Sequence, residues 1–115
     1  MYLTKTLRLS LVAEEKTDIE KVRALLYTEQ YYQTNKKNLP STVTINKYTK
    51  DNVSDDPVIF RNVQYPGYVI DYTLQIETLT PDIVSGILVS AFPVDKTLEK
   101  RKSRRPIQVV KVEVL

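Results

Sequence analysis

Tyr68, Ile70, Tyr72, Leu74 and Ile76 occupy every second position and alternate with Val69, Asp71, Thr73, Gln75 and Glu77. A period of two sustained over ten residues describes a strand with one buried face, and a strand of that length needs neighbours to take its backbone hydrogen bonds. The chain offers several. Leu3 to Val12 alternates, with Leu3, Leu7, Leu9 and Leu11 on one side, Thr4, Thr6, Arg8 and Ser10 on the other, and Lys5 as the one break. Ser41 to Lys50 sets Val43, Ile45 and Lys47 against Thr42, Thr44 and Asn46. Residues 58–63 form a short apolar run, and Tyr65-Pro66-Gly67 reads as the turn that pairs it antiparallel with the long strand. Ile107 to Leu115 closes the chain as a strand with Val110, Val112 and Val114 on one face.

One helix is well signalled. Thr17-Asp18-Ile19-Glu20 is a capping box, with a hydroxyl at the N-cap and a glutamate three residues on, and Asp18 suits the positive end of the helix dipole. Ile19, Val22, Leu25 and Leu26 then form an apolar stripe, with Glu20, Lys21 and Arg23 facing outward, and the pattern fades near Gln30. Ile83 to Phe92 is apolar almost throughout, so it reads either as a central strand or as a short buried helix; its Val and Ile content favours the strand, with Gly86 at a bulge. Residues 94–102 can form a second short helix, which Pro106 would stop. These elements predict one domain over residues 1–115: an α+β fold whose mainly antiparallel sheet curls into a small β-barrel.

Composition removes many functions. The chain has no cysteine and no histidine, hence no disulfide, no thiolate nucleophile, no Cys/His zinc site and no imidazole acid–base catalysis. Gly67 and Gly86 are its only glycines, which leaves no phosphate-cradling loop and no dinucleotide fingerprint. No carboxylate, Lys or Tyr pair is spaced to suggest a mechanism, so the expectation is a non-enzymatic protein without a cofactor. The carboxylates of Asp51, Asp55 and Asp56 lack the glycine and distal glutamate of a calcium loop and read as a plain polar turn. No apolar run is long enough to span a bilayer and the first residues are polar and basic, so a cytoplasmic protein with no membrane role is expected.

Charge is concentrated. Lys96, Lys100, Arg101, Lys102, Arg104 and Arg105 stand against Glu99 alone, a local +5 within a chain whose total is +3. Such a run suits a polyanion, because several cations near phosphates release counterions together; it also suits a solvated loop kept charged for solubility. A second candidate surface places Tyr27, Tyr31 and Tyr32 close to Lys36 and Lys37, where rings can stack unpaired bases while the cations meet phosphates. The plainer account of Tyr27 and Tyr31, four residues apart, is that they extend the buried face of the helix and leave their hydroxyls at its rim. The one strong helix carries mixed charge, which favours RNA or single strands over duplex DNA. The competing class is an interaction module that meets a protein partner, or a second copy, through the edge of the terminal strand Val109 to Leu115.

The opening Leu3-Thr4-Lys5-Thr6-Leu7-Arg8-Leu9, the early capped helix and the basic segment before a terminal strand together resemble the PrgU-type small proteins, which accompany pheromone-responsive conjugative plasmids of enterococci and related Gram-positive bacteria. The resemblance is one of layout across most of the chain. It implies a PUA-like fold, a compact β-barrel flanked by helices and often used to bind RNA, in a regulator that restrains production of plasmid-encoded surface adhesins. It carries over no individual site residue.

Overall fold

The long alternating segment is the centre of the fold. It forms β5 (Gly67–Thr78), which pairs antiparallel with β1 (Tyr2–Ala13) on one side and β2 (Val43–Ser54) on the other, so both rows of its backbone groups find partners. β6 (Ile107–Val114) adds to the far side of β1 and completes the order β2-β5-β1-β6. The structure, a computed structural model, describes residues 1–13, 15–95 and 107–115. Among these residues β2 and β6 do not pair, and the sheet is open where a closed barrel was expected. Four strands are too few to curl around a core of this size. Helices cover the face instead: α1 (Asp18–Asn35), continued by a 3₁₀ turn at Lys36–Asn38, and α2 (Val84–Ala91).

The inward row of β5 is almost wholly buried, with Tyr68, Ile70, Tyr72, Leu74 and Ile76 at 1% exposure or less. Register places Leu7 opposite Tyr72, Leu9 opposite Ile70 and Leu11 opposite Tyr68, so the two strands share one apolar surface. Over it α1 lays Ala24, Thr28, Tyr31 and Tyr32, spaced i, i+4, i+7 and i+8. Of the expected stripe, Leu25 packs half-buried against this core, but the other three residues do not. Ile19, Val22 and Leu26 are exposed at 66%, 55% and 67%, while Glu20 is buried. Two large rings and two small residues explain the choice: Tyr31 and Tyr32 each carry more burial area than an aliphatic side chain, and Ala24 and Thr28 let the helix approach the sheet closely. The helix also runs to Asn35, five residues past the expected end.

α2 replaces the strand expected at Ile83 to Phe92. A 3₁₀ turn at Pro81–Ile83 leads into it, and Val84, Leu88, Ala91 and Phe92 are buried at helical spacing, while Ile83 and Val89 face out. The uniform apolarity of the segment hid that period.

The second apolar run splits into a small hairpin of β3 (Val58–Phe60) and β4 (Val63–Tyr65). Its turn is Arg61-Asn62, both left-handed at φ 52° and 65°, and not the expected Pro66-Gly67. This two-residue loop pairs β3 with β4, so neither pairs with β5. A second, smaller apolar cluster forms where Val58 meets Val12 and Val110, with Phe60 and Tyr65 packed against it. Val110 reaches that cluster through a bulge: Ser10 pairs with Lys111 but Leu11 with Val109. The extra residue turns Val110 away from the core that Val109, Val112 and Val114 join, so the three valines expected on one face are divided.

The two glycines have opposite roles. A Cβ on Gly67 would stand 2.4 Å from Val58 Cγ2 and 2.5 Å from the Leu11 carbonyl oxygen, whereas one on Gly86 would meet nothing within 4 Å. Gly86 lies on the exposed side of α2 with ordinary φ, where glycine only costs chain entropy. Gly86→Ala is therefore expected to stabilise the fold by about 0.5–1 kcal/mol, and Gly67→Ala to destabilise it by about 1–3 kcal/mol, both read from urea unfolding midpoints.

Candidate nucleic-acid interface

The C-terminal end of α1 faces β2 across an open groove of ≈ 590 Å³. Lys36 and Lys37 reach it from the 3₁₀ turn, Lys47, Tyr48 and Asn46 from β2, and no acidic side chain lines it. All three lysines are exposed, and none forms an ion pair with a described residue. Lys47 and Tyr48 were not among the residues expected from the sequence. A bulge explains why: Ile45 pairs with Ile76 and Tyr48 with Leu74, while Lys47 pairs with the outward Gln75. Plain alternation had placed Lys47 beside Ile45 on the inner face. The one-residue shift turns Lys47 out and Tyr48 in.

Tyr48 is held firmly. Its ring packs on Tyr32 at 4.3 Å between centroids, and its hydroxyl donates to Glu29 Oε1 at 2.7 Å. The Gln33 amide donates both to Glu29 Oε1 at 3.2 Å and to the Tyr48 hydroxyl at 2.7 Å, the Tyr72 hydroxyl reaches Glu29 Oε2 at 3.3 Å, and Lys50 Nζ lies 3.9 Å from the same oxygen. Hydrogen bonding from Tyr48 holds the Glu29 carboxyl below its ordinary range, against some desolvation and with help from Gln33, Lys50 and Tyr72. The same bond pushes the Tyr48 hydroxyl up. A carboxylate that accepts from several donors fixes a ring.

Tyr31 and Tyr32, expected as stacking rings, are buried at 6% and 1% exposure. Tyr32 stacks on Tyr72 and Phe92 in the core, and Tyr31 donates its hydroxyl to the Pro93 carbonyl at 2.6 Å. Both rings are thus largely buried in the core, although Tyr32 borders the groove and Tyr31 a second cavity. Tyr27 is half-buried and its hydroxyl donates to Asp95. Lys96, Lys100, Arg101, Lys102, Arg104 and Arg105 lie outside the described residues, as do the proposed helix over 94–102, apart from its first two residues, and its stop at Pro106. The residues that flank the basic run, Asp95 and Ile107, border a second cavity of ≈ 680 Å³ beside Arg23, Leu26 and Tyr27. Asp95 also tethers β6, donating its backbone N–H to the Val109 carbonyl at 2.8 Å and accepting from the Val109 N–H at 2.9 Å.

The acidic stretch at 51–56 is engaged locally. Asp51 and Asn52 belong to β2 and not to a loop, Asp51 accepts from Thr73, and Asp55 lies 3.5 Å from Lys21. Among the described residues no helix is long and apolar enough to cross a membrane. No known protein family and no curated protein sequence matches this chain.

Five tyrosines, 31, 32, 48, 68 and 72, have hydroxyls pushed above their ordinary value of 10.0; burial is the main cause for all but Tyr48. In the unfolded chain these phenols ionise near pH 10, while the folded chain keeps them protonated. Their contribution to stability is complete below pH 10 and lost as pH rises beyond it. Denaturant unfolding between pH 8 and 11.5 is expected to show a fall in stability that begins near pH 10, and absorbance at 295 nm should show part of the tyrosine signal appearing only with alkaline unfolding.

Proposed function

We propose that this protein is a non-enzymatic regulator of gene expression that binds single-stranded RNA in the cytoplasm through a basic surface. The observation that carries the reading is the groove between α1 and β2, where three lysines with no acidic partner among the described residues surround a positioned tyrosine. Cations gathered around one groove suit a phosphate backbone, since a surface serving solubility alone intersperses the two signs. The run from Lys96 to Arg105 adds a local +5 to the same chain. Resemblance to the PrgU-type proteins implies the same class of function, and the PUA-like relation belongs to this proposal, with an open sheet in place of a closed barrel.

A second reading, a protein partner or second copy meeting the edge of β6, is favoured by one observation: among the described residues that strand pairs with β1 alone, although Asp95 already occupies its outer edge at Val109. Size-exclusion chromatography with light scattering separates the two, because edge pairing predicts a dimer and the groove requires none.

RNA binding is tested by a salt series on a mixed single-stranded pool. Each phosphate contact contributes about 0.7 to the slope of log K against log salt. Joint substitution of Lys36, Lys37 and Lys47 by Gln is expected to lower that slope by about 2, and substitution of Lys100, Arg101, Lys102, Arg104 and Arg105 by about 3 to 4. Absence of binding by the unaltered protein at low salt would sink the proposal.

A further inference from the structure

We infer that the groove between α1 and β2 is a site for an unpaired nucleotide, with the base stacked on Tyr48 and the flanking phosphates on Lys36, Lys37 and Lys47; this rests on the polyanion reading above and adds the requirement for a base. A surface that recognises only negative charge needs mobile cations and no fixed ring. This groove has both. Tyr48 is half-buried in its wall, backed by Tyr32 at 4.3 Å with 37° between the planes, and pinned at its hydroxyl by Glu29 and Gln33. A ring fixed before binding loses little entropy when a base stacks on it, and stacking on an aromatic side chain is tolerant of base identity.

The rest of the lining fits the same ligand. Thr44 and Asn46 bring a hydroxyl and an amide to the groove, donors and acceptors able to meet a base edge. Leu39, Val43 and Ile45 supply apolar walls against which the flat faces of a base desolvate. The cavity, ≈ 590 Å³, lies within the ~300–1,000 Å³ common to small-ligand sites. It is a cleft beside one edge strand, so an unstacked nucleotide enters it while a duplex keeps its bases inside the helix.

The test compares fluorescein-labelled ten-nucleotide oligouridine with an abasic oligomer of equal length and charge, by fluorescence anisotropy on the full chain. Oligouridine is expected to bind roughly tenfold or more tighter than the abasic oligomer. Tyr48→Phe, which keeps the ring but loses its anchor at Glu29 and Gln33, should lower that ratio without abolishing it, and Tyr48→Leu should bring it to about one. Far-UV circular dichroism reports whether each variant folds; should Tyr48→Leu not fold, the two oligomers on the unaltered protein and on Tyr48→Phe still decide. Equal affinity for both oligomers would overturn the base-stacking inference and leave the polyanion reading standing. Binding to neither would overturn both.

Discussion

One ring joins the elements of this fold. Tyr32 projects from α1 and stacks on Tyr72 of β5 at 5.3 Å, on Phe92 just beyond α2 at 5.6 Å, and against Tyr48 of β2 at 4.3 Å. A single buried aromatic therefore fixes the main helix, the second helix and two strands relative to one another, and its contacts add to area burial the preference of rings for offset stacking. The rotation of α1 follows. With Tyr32 and Tyr31 turned to the sheet, Ala24 and Thr28 must lie beneath, and Ile19, Val22 and Leu26 are left facing solvent. The aliphatic stripe loses to the aromatic one because a helix has one inward face and the larger rings occupy it.

The same contact sets the chemistry of the groove. Tyr72 and Tyr48 both approach α1 one turn before Tyr32, where Glu29 receives their hydroxyls. A carboxylate at the margin of an aromatic core answers the need of buried phenols for acceptors. Charge balance at that margin comes from Lys50, which lies near Glu29 and over the Tyr72 ring at 5.6 Å. Lys36 and Lys37, a turn or more further along, and Lys47 on β2 have no such counterpart among the described residues, although Lys36 and Lys37 complement the negative end of the α1 dipole. Structural demand therefore accounts for Lys50.

What the sequence displays and what it conceals divide along physical lines. β5, β1 and the Thr17 cap were legible because strict alternation and capping chemistry are local: Thr17 Oγ1 accepts from the Glu20 N–H at 3.0 Å as expected. The inward face of α1 was not legible, since two apolar stripes compete on one helix and the sheet chooses between them. α2 was hidden by apolarity at nearly every position, and the hairpin turn by Arg61, a residue that seldom adopts a left-handed φ. The candidate site was half visible. Lys36 and Lys37 follow from composition near a helix end, but Lys47 and Tyr48 depend on a bulge, and a one-residue insertion into a ladder leaves no trace in the pattern of polar and apolar residues.

That bulge ties the sheet's edge to the groove beside α1. β2 is an edge strand of twelve residues, long enough to invite pairing by another chain, and its register shifts at Ile45/Lys47 and again at Lys50/Asn52. Each shift breaks the straight row of backbone groups that an incoming strand would need, and exposed Lys47, Lys50 and Asp51 add charge along it. The first shift does more than protect the edge. By turning Tyr48 onto Tyr32 and Lys47 outward, it places a fixed ring and a free cation on adjacent residues, which unbroken alternation would have sent to opposite faces in the reverse order. The irregularity that protects the edge of β2 thus also sets which of its side chains line the groove beside α1.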